Sequence, residues 1–175
     1  MNDPYVVITA DAHAGASIDG YREYLDPAYR ERFDEWRERY RNPSRSHIGG
    51  KKAKNWDSDV RLADLESDGV VGEVVYPNTV PPFYESAYHI SPPPTDEEFE
   101  LALAGTRAHN RWLAEFCAET PGRRAGIGLI QLNDIDEAIA DVGFIAENGL
   151  TGGVLLPLPS PSDTDLAPLN DPSYD

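Results

Sequence analysis

The stretch SDVRLADLESDGVVGEVVYPN, residues 58–78, decides the fold. Ser58 to Ser67 predicts a helix that Gly69 can stop, because glycine readily takes the left-handed conformation that ends helices. Val70 to Tyr76 is rich in β-branched residues and predicts a strand, which Pro77-Asn78 closes. The same handover from helix to strand recurs downstream. Thr95 starts a helix, and Glu98 three residues on completes a capping box. Leu101, Ala104, Ala108, Trp112 and Phe116 give that helix its buried stripe, and Pro121-Gly122 breaks it. Ala125 to Leu132 predicts the next strand. A further helix runs from Asp134 with an apolar face of Ile135, Ala138, Ile139, Val142 and Ile145, and Gly149 stands where a terminating glycine belongs. Gly152 to Leu156 is a last short apolar strand.

Upstream, Tyr5 to Ala10 is a short run with hardly a charge, the pattern of a strand covered on both faces as in parallel sheets. Strands alternating with helices imply βαβ units with right-handed crossovers, so the class is α/β. Four strands amount to half of an eight-stranded barrel, which usually needs about 250 residues. Between the first strand and residue 58, a one-sided helix is predicted from Asp26. Asp26 is its N-cap, Pro27 its first residue, and Tyr29, Phe33, Trp36 and Tyr40 its apolar positions. Arg41 to Lys54 and the proline- and aromatic-rich Thr79 to Pro94 predict loops, and Pro157 to Asp175 has no period of its own. The expected organisation is one partial barrel domain over 1–175, with a helical and loop insertion at about 14–56.

Composition narrows the function. Fifteen Lys and Arg against 31 Asp and Glu leave a formal charge of −16. Such a field repels phosphate backbones and anionic headgroups, so neither nucleic acid nor a membrane surface is an expected partner. The longest apolar runs fall far short of the roughly 20 residues that span a bilayer, and Met1-Asn2-Asp3-Pro4 is no basic leader, which predicts a cytoplasmic protein. The one cysteine, Cys117, lies in an apolar helical pattern and is expected to be a buried structural thiol.

Asp11 and His13 are two apart, so in extended chain they share a face at the carboxyl end of the first strand. A carboxylate oxygen and a neutral imidazole nitrogen suit zinc, manganese or iron, but a catalytic zinc site normally has three protein ligands. Two residues make half a site, and a capping aspartate beside a loop histidine would give the same pattern. Asn78, after the second strand, could touch substrate at a barrel mouth, although Pro-Asn is also a common turn pair. His89, among Tyr84, Tyr88 and several prolines, could line a pocket or be an ordinary loop histidine. His47 sits in the basic loop. His109 and Asn110 fall within a helix, where packing or a hydrogen bond to a neighbouring loop is the natural account. Arg123 and Arg124 flank a strand start, where stability outweighs chemistry.

The surroundings of Asp11 and His13 carry a resemblance. Val-Ile-Thr-Ala-Asp-Ala-His-Ala at 7–14 resembles the metal-binding opening of the amidohydrolase-related family. Similar too are 61–70 leading into Glu73-Val-Val-Tyr-Pro-Asn78, then Asn110-Arg-Trp-Leu-Ala-Glu-Phe-Cys117, Pro121-Gly-Arg123, and Gly149-Leu-Thr-Gly-Gly-Val-Leu-Leu-Pro157. Asn170 to Asp175 resembles the lead into the helix after the fourth strand. Residues 14–56 fit least well.

The resemblance implies the N-terminal half of a distorted TIM barrel, with Asp11 and His13 among the ligands of a divalent metal, zinc first and manganese or iron as alternatives. Asp11 stands where many members have a histidine, whereas related decarboxylases have a carboxylate there. The activity implied is hydrolysis of a small organic acid, amide or lactone, or non-oxidative decarboxylation. The family's later metal ligands and its usual general base are not found in this sequence, which is expected to be an incomplete fragment. A homo-oligomer, or a second chain completing the barrel, would be its partner. The competing expectation is a non-catalytic half-barrel that persists by dimerising, since an open parallel sheet leaves two edges and one face without cover. A complete flavodoxin-like domain lacks support, because no glycine-rich phosphate loop follows the first strand.

Overall fold

A computed structural model of the protein describes residues 5–41, 53–156 and 166–174. The elements follow in the order β1 (Val7–Ala14), α1 (Tyr21–Tyr24), α2 (Arg30–Arg39), α3 (Ser58–Ser67), β2 (Val70–Pro77), α4 (Asp96–Ala118), β3 (Arg124–Leu129), α5 (Ile135–Glu147) and β4 (Gly153–Leu155). The four strands form one sheet in the order β1-β2-β3-β4, with every described pair parallel. This is the α/β arrangement expected: four parallel strands with crossover helices, half of a TIM barrel.

Local chemistry sets the helix starts. The Asp57 side chain accepts from the Val60 amide at the head of α3, and Asp134 accepts from the Glu137 amide at the head of α5. Thr95 and Glu98 form the expected capping box on α4. Each such bond satisfies an amide that the helix itself leaves without a partner. Gly69 and Gly149 both have φ of +72°, the left-handed stop that a side chain would strain. Asp26 caps a 3-10 turn, Pro27–Tyr29, which leads into α2.

One face of the sheet is filled by helices. Ala104, Ala108, Trp112, Leu113 and Phe116 of α4 pack with Val75, Ile130, Ile145 and Leu150, and Tyr21, Leu25 and Phe33 extend this core. The helices come so close that β3 carries glycine beneath them. An added Cβ at Gly126 would lie 2.9 Å from Cys117 Sγ and from Leu113, and one at Gly128 would strike Ile145. Cys117 is accordingly a buried thiol, and burial pushes its pKa up to about 11. Along β2, Glu73, Val75 and Pro77 are buried towards the helices, and Gly72, Val74 and Tyr76 alternate with them.

Several expectations need correction. The first strand is not covered on both faces. Ile8 is 63 % exposed and Val7, Val6 and Tyr5 are exposed with it, because β1 is an edge of the described sheet. That strand also runs on through His13 to Ala14 instead of stopping at Ala10. The third strand ends at Leu129, and the fourth covers only Gly153–Leu155. On α5, Ala138, Asp141 and Ile145 face inward, while Ile139 is 65 % exposed and Val142 is exposed too. A helix in half a barrel has a neighbour on one flank only, so part of its apolar stripe is left facing outward.

Candidate functional site

The geometry of the site begins with a register change in β1. Thr9 pairs with Glu73 and Ala12 with Val75, so Ala10 and Asp11 together stand opposite the single residue Val74. This is a bulge, and the extra residue reverses which face each later side chain meets. Thr9 shares the face of Glu73, on the helix side. Beyond the bulge it is Ala12 and Ala14 that turn to the helices and are buried, whereas His13 pairs with Tyr76 on the opposite face. Without the bulge, His13 would point into the helix layer.

Asp11 and His13 are brought together on that open side. The Asp11 carboxylate oxygen lies 3.9 Å from His13 Nδ1, with side-chain exposures of 92 % and 43 %. The Tyr76 ring stands beside the imidazole at 5.8 Å between centroids, tilted by 36°. Asn78 lies at the same end of the sheet. Its amide donates to Ala14 O at 2.9 Å, and the residue is exposed. Gly15 turns away immediately afterwards, its amide bonded to Asn55 O at 3.0 Å and its Cα so close to Thr79 that no Cβ would fit. The loops after β1 and β2 thus run side by side.

His89 belongs to a short 3-10 turn, Tyr88–Ile90, in the loop after β2. Its side chain lies outside the described residues, as does all of His47. The loop itself is fastened across the carboxyl ends of the strands. The Tyr88 hydroxyl donates to Ile130 O and, at 3.4 Å, to Leu155 O, and Tyr84 meets Gln131 and Thr106 in a buried hydrogen-bonded group. Burial raises the pKa of both tyrosines above the ordinary tyrosine value. Asn110 makes both amide hydrogen bonds to the Leu129 backbone, donating to its carbonyl and accepting from its N–H at 2.8 Å each. His109, fully buried, meets the Tyr21 hydroxyl at 2.8 Å through Nδ1, and burial lowers its pKa to about 3. Neither residue reaches the open face, in keeping with a packing role.

Two residues absent from the expected site belong to it by position. Tyr76 flanks His13, and its signal was its place next to the strand-ending Pro77-Asn78. Arg61 on α3 donates to the His13 carbonyl at 3.0 Å. No pattern in the sequence pairs residue 61 with residue 13.

Asp11 and His13 fit a divalent metal by donor chemistry. Adjacent ligands of an ion with bonds of about 2.1 Å are themselves roughly 3.0–3.4 Å apart, so a small rotation of the exposed carboxylate closes the present gap. They fit as two ligands and no more. Among the described residues no group of three or more His, Cys, Asp or Glu side chains is placed to hold an ion. No helix among them is long and apolar enough to cross a membrane.

No family model and no curated protein sequence matches the chain. Solved structures do resemble it. An amidohydrolase from Mycobacterium avium subsp. paratuberculosis K-10 superposes with a TM-score of 0.60 at 18 % identity, over 89 % of this chain and 50 % of that one. A 2,6-dihydroxybenzoate decarboxylase from Rhizobium gives 0.55 at 17 %, over 97 % of this chain and 44 % of that one. A 2,6-dihydroxybenzoate decarboxylase complexed with 2,6-dihydroxybenzoate gives 0.51 at 17 %, with the same coverage. At these identities the likeness shows a shared fold, and the chain spans about half the length of the structures it matches.

Proposed function

We propose that this chain carries the first-strand metal ligands of a metal-dependent hydrolase of the amidohydrolase-related kind, acting on a small organic acid, amide or lactone. The observation that supports this reading best is the bulge in β1, which turns His13 to the face opposite the helices, beside an exposed carboxylate. Strand bulges recur at active sites because they re-aim a side chain that the regular pleat would bury.

In this reading Asp11 offers a carboxylate oxygen and His13 a ring nitrogen to one divalent ion, zinc, manganese or iron. Such an ion supplies Lewis acidity and a hydroxide near neutral pH. The chain's own residues do the rest of the work assigned here. Tyr76 covers one side of the imidazole, Asn78 at the end of β2 is assigned to hydrogen-bond a substrate oxygen, and His89 is assigned the same role from its place in the sequence alone. The remaining ligands and the general base are supplied by other strands of a completed barrel, from further sequence, a second copy or a second chain.

Decarboxylation is the alternative chemistry at the same site. It is favoured by one observation: two of the similar structures are decarboxylases of a hydroxybenzoate. Release of carbon dioxide from hydroxybenzoates, set against cleavage of amides and lactones, separates the two.

The metal reading is tested by elemental analysis of the purified chain beside an Asp11→Ala/His13→Ala variant, with sizing of both. Near-stoichiometric zinc, manganese or iron that is lost in the variant is the expected result. Metal in neither protein would remove the enzymatic reading of this polypeptide and leave the half-barrel module.

A further inference from the structure

We propose that Arg61 is a positioning residue for His13, holding the peptide of this metal ligand against the buried frame of the fold. The proposal rests on the reading of His13 as a ligand. Its geometry does not.

Arg61 is 6 % exposed and uses its guanidinium in two directions. Nε and Nη2 grip both oxygens of Glu73, at 2.6 to 3.0 Å. Nη1 turns the other way and donates to two backbone carbonyls, His13 O and Lys54 O, at 3.0 Å each. Glu73 is itself immobilised: it is 2 % exposed on β2 and takes a further bond from Arg124 Nε at 3.2 Å. Arg124 is held in turn by Phe116 O at 2.6 Å, by Ser58 Oγ at 2.8 Å and by the Phe116 ring 3.8 Å below its guanidinium. Arg61 therefore ties the carbonyl of residue 13 directly to a carboxylate buried on β2.

That carbonyl needs a fixed partner for a local reason. The bulge at Ala10 and Asp11 interrupts the β1·β2 ladder, which resumes only at Ala12, one residue before His13, so the pairing upstream cannot carry register across it. The His13 ring is partly exposed and has packing on one side from Tyr76, so its direction is inherited from its backbone. Arg61 supplies the anchor, and it ties the same point to residue 54. Lysine could not replace it. One ammonium cannot meet a carboxylate on one side and two carbonyls on the other, whereas a planar guanidinium with five donors does both.

A merely structural arginine would act through Glu73 alone, and Arg124 provides the control, since it pairs with the same carboxylate but makes no bond to residue 13. The full-length chain is compared with Arg61→Lys, Arg61→Gln and Arg124→Gln. Amide hydrogen exchange is followed in the metal-free proteins at Gly15 and Asn78, whose N–H groups bond Asn55 O and Ala14 O. Co2+ affinity is measured by its visible absorption.

Both Arg61 variants are expected to speed exchange at Gly15 and Asn78 about tenfold relative to the β3 amides, and to weaken Co2+ binding about tenfold, the low end of what lost outer-shell support costs a metal site. Arg124→Gln is expected to lower Tm and leave both readouts near wild type. Arg61→Lys keeps the charge opposite Glu73 and so remains folded if Arg61→Gln does not. Equal loosening by Arg124→Gln, or unchanged exchange in Arg61→Lys, overturns the proposal. A wild-type chain that binds no Co2+ would remove His13 as a ligand and with it the positioning role, while the exchange data would still decide whether Arg61 anchors the strand.

Discussion

The two faces of the sheet are finished to different degrees. On the helix side polar groups are buried in dense networks: Glu73 between Arg61 and Arg124, and Asn110 on both backbone groups of Leu129. On the other side Asp11 and His13 stand exposed, 3.9 Å apart, beside Tyr76. A polar side chain locked by several buried partners spends its bonding capacity on the fold. One that the backbone turns to an open face keeps that capacity for a ligand. The same strand pair shows both conditions, separated by the bulge that rotates His13 away from the helix layer.

The comparison is broken most forcefully at Glu73. Glu73→Ala removes the carboxylate and leaves two buried guanidinium groups facing each other, and stranding one member of a buried pair costs about 3–5 kcal/mol. Burial already lowers the Arg124 pKa, so its charge depends on Glu73 for compensation. Urea unfolding of the variant should show that loss as a fall in midpoint without a change in slope. A loss under 1 kcal/mol would mean that the helix face is far less committed than its bonding suggests.

The next effect is smaller and depends on pH. His109 is fully buried and its pKa is lowered to about 3, by burial, from an ordinary value near 6.5. A depressed folded-state pKa gives stability that is present above the unfolded value and is lost as pH falls towards the folded one. Between pH 7 and pH 5 this group should withdraw about 2 kcal/mol, at about 1.4 kcal/mol per pKa unit. The check is the difference between wild type and His109→Gln across that window, in which the other titrating groups cancel. Parallel curves would place the titration elsewhere.

How far this division could be read from the sequence follows from the range of each signal. The helix at 58–67, the strand beginning at Val70, the capping box at Thr95 and Glu98 and the stop at Gly149 are all set by neighbours within four residues, and all stand where their residues predict. The Asp11–His13 pair was legible for the same reason, being two residues apart on one strand. What failed was long-range. The apolar run at Tyr5 to Ala10 carries no mark of being an edge, since exposure is decided by which strand lies alongside. Ile139 and Val142 have helical spacing whether or not a neighbouring helix covers them. The bulge is a mismatch between Ala10-Asp11 and Val74, invisible until the two strands are paired, and Arg61 meets His13 across 48 positions.

The smallest effect sharpens the comparison most. If the open face is kept for a ligand and not for the fold, Asp11→Ala and His13→Ala should each change the stability of the metal-free chain by no more than about 0.5 kcal/mol, the usual range for surface positions without special features. Asp11 is 92 % exposed, so its truncation removes almost no packed surface. His13 gives up a tilted contact with Tyr76, while the bond from Arg61 goes to its backbone carbonyl and survives the truncation. The contact between the two is long, at 3.9 Å, and exposed, of the kind that contributes little. Thermal or urea unfolding with a chelator present checks this. A cost of 2 kcal/mol or more would make Asp11 and His13 structural members of the strand end, the role Glu73 has on the other face. Near-neutral values would leave ligand binding as the physical reason for turning an imidazole and a carboxylate, by means of an interrupted ladder, onto a surface that the fold does not use.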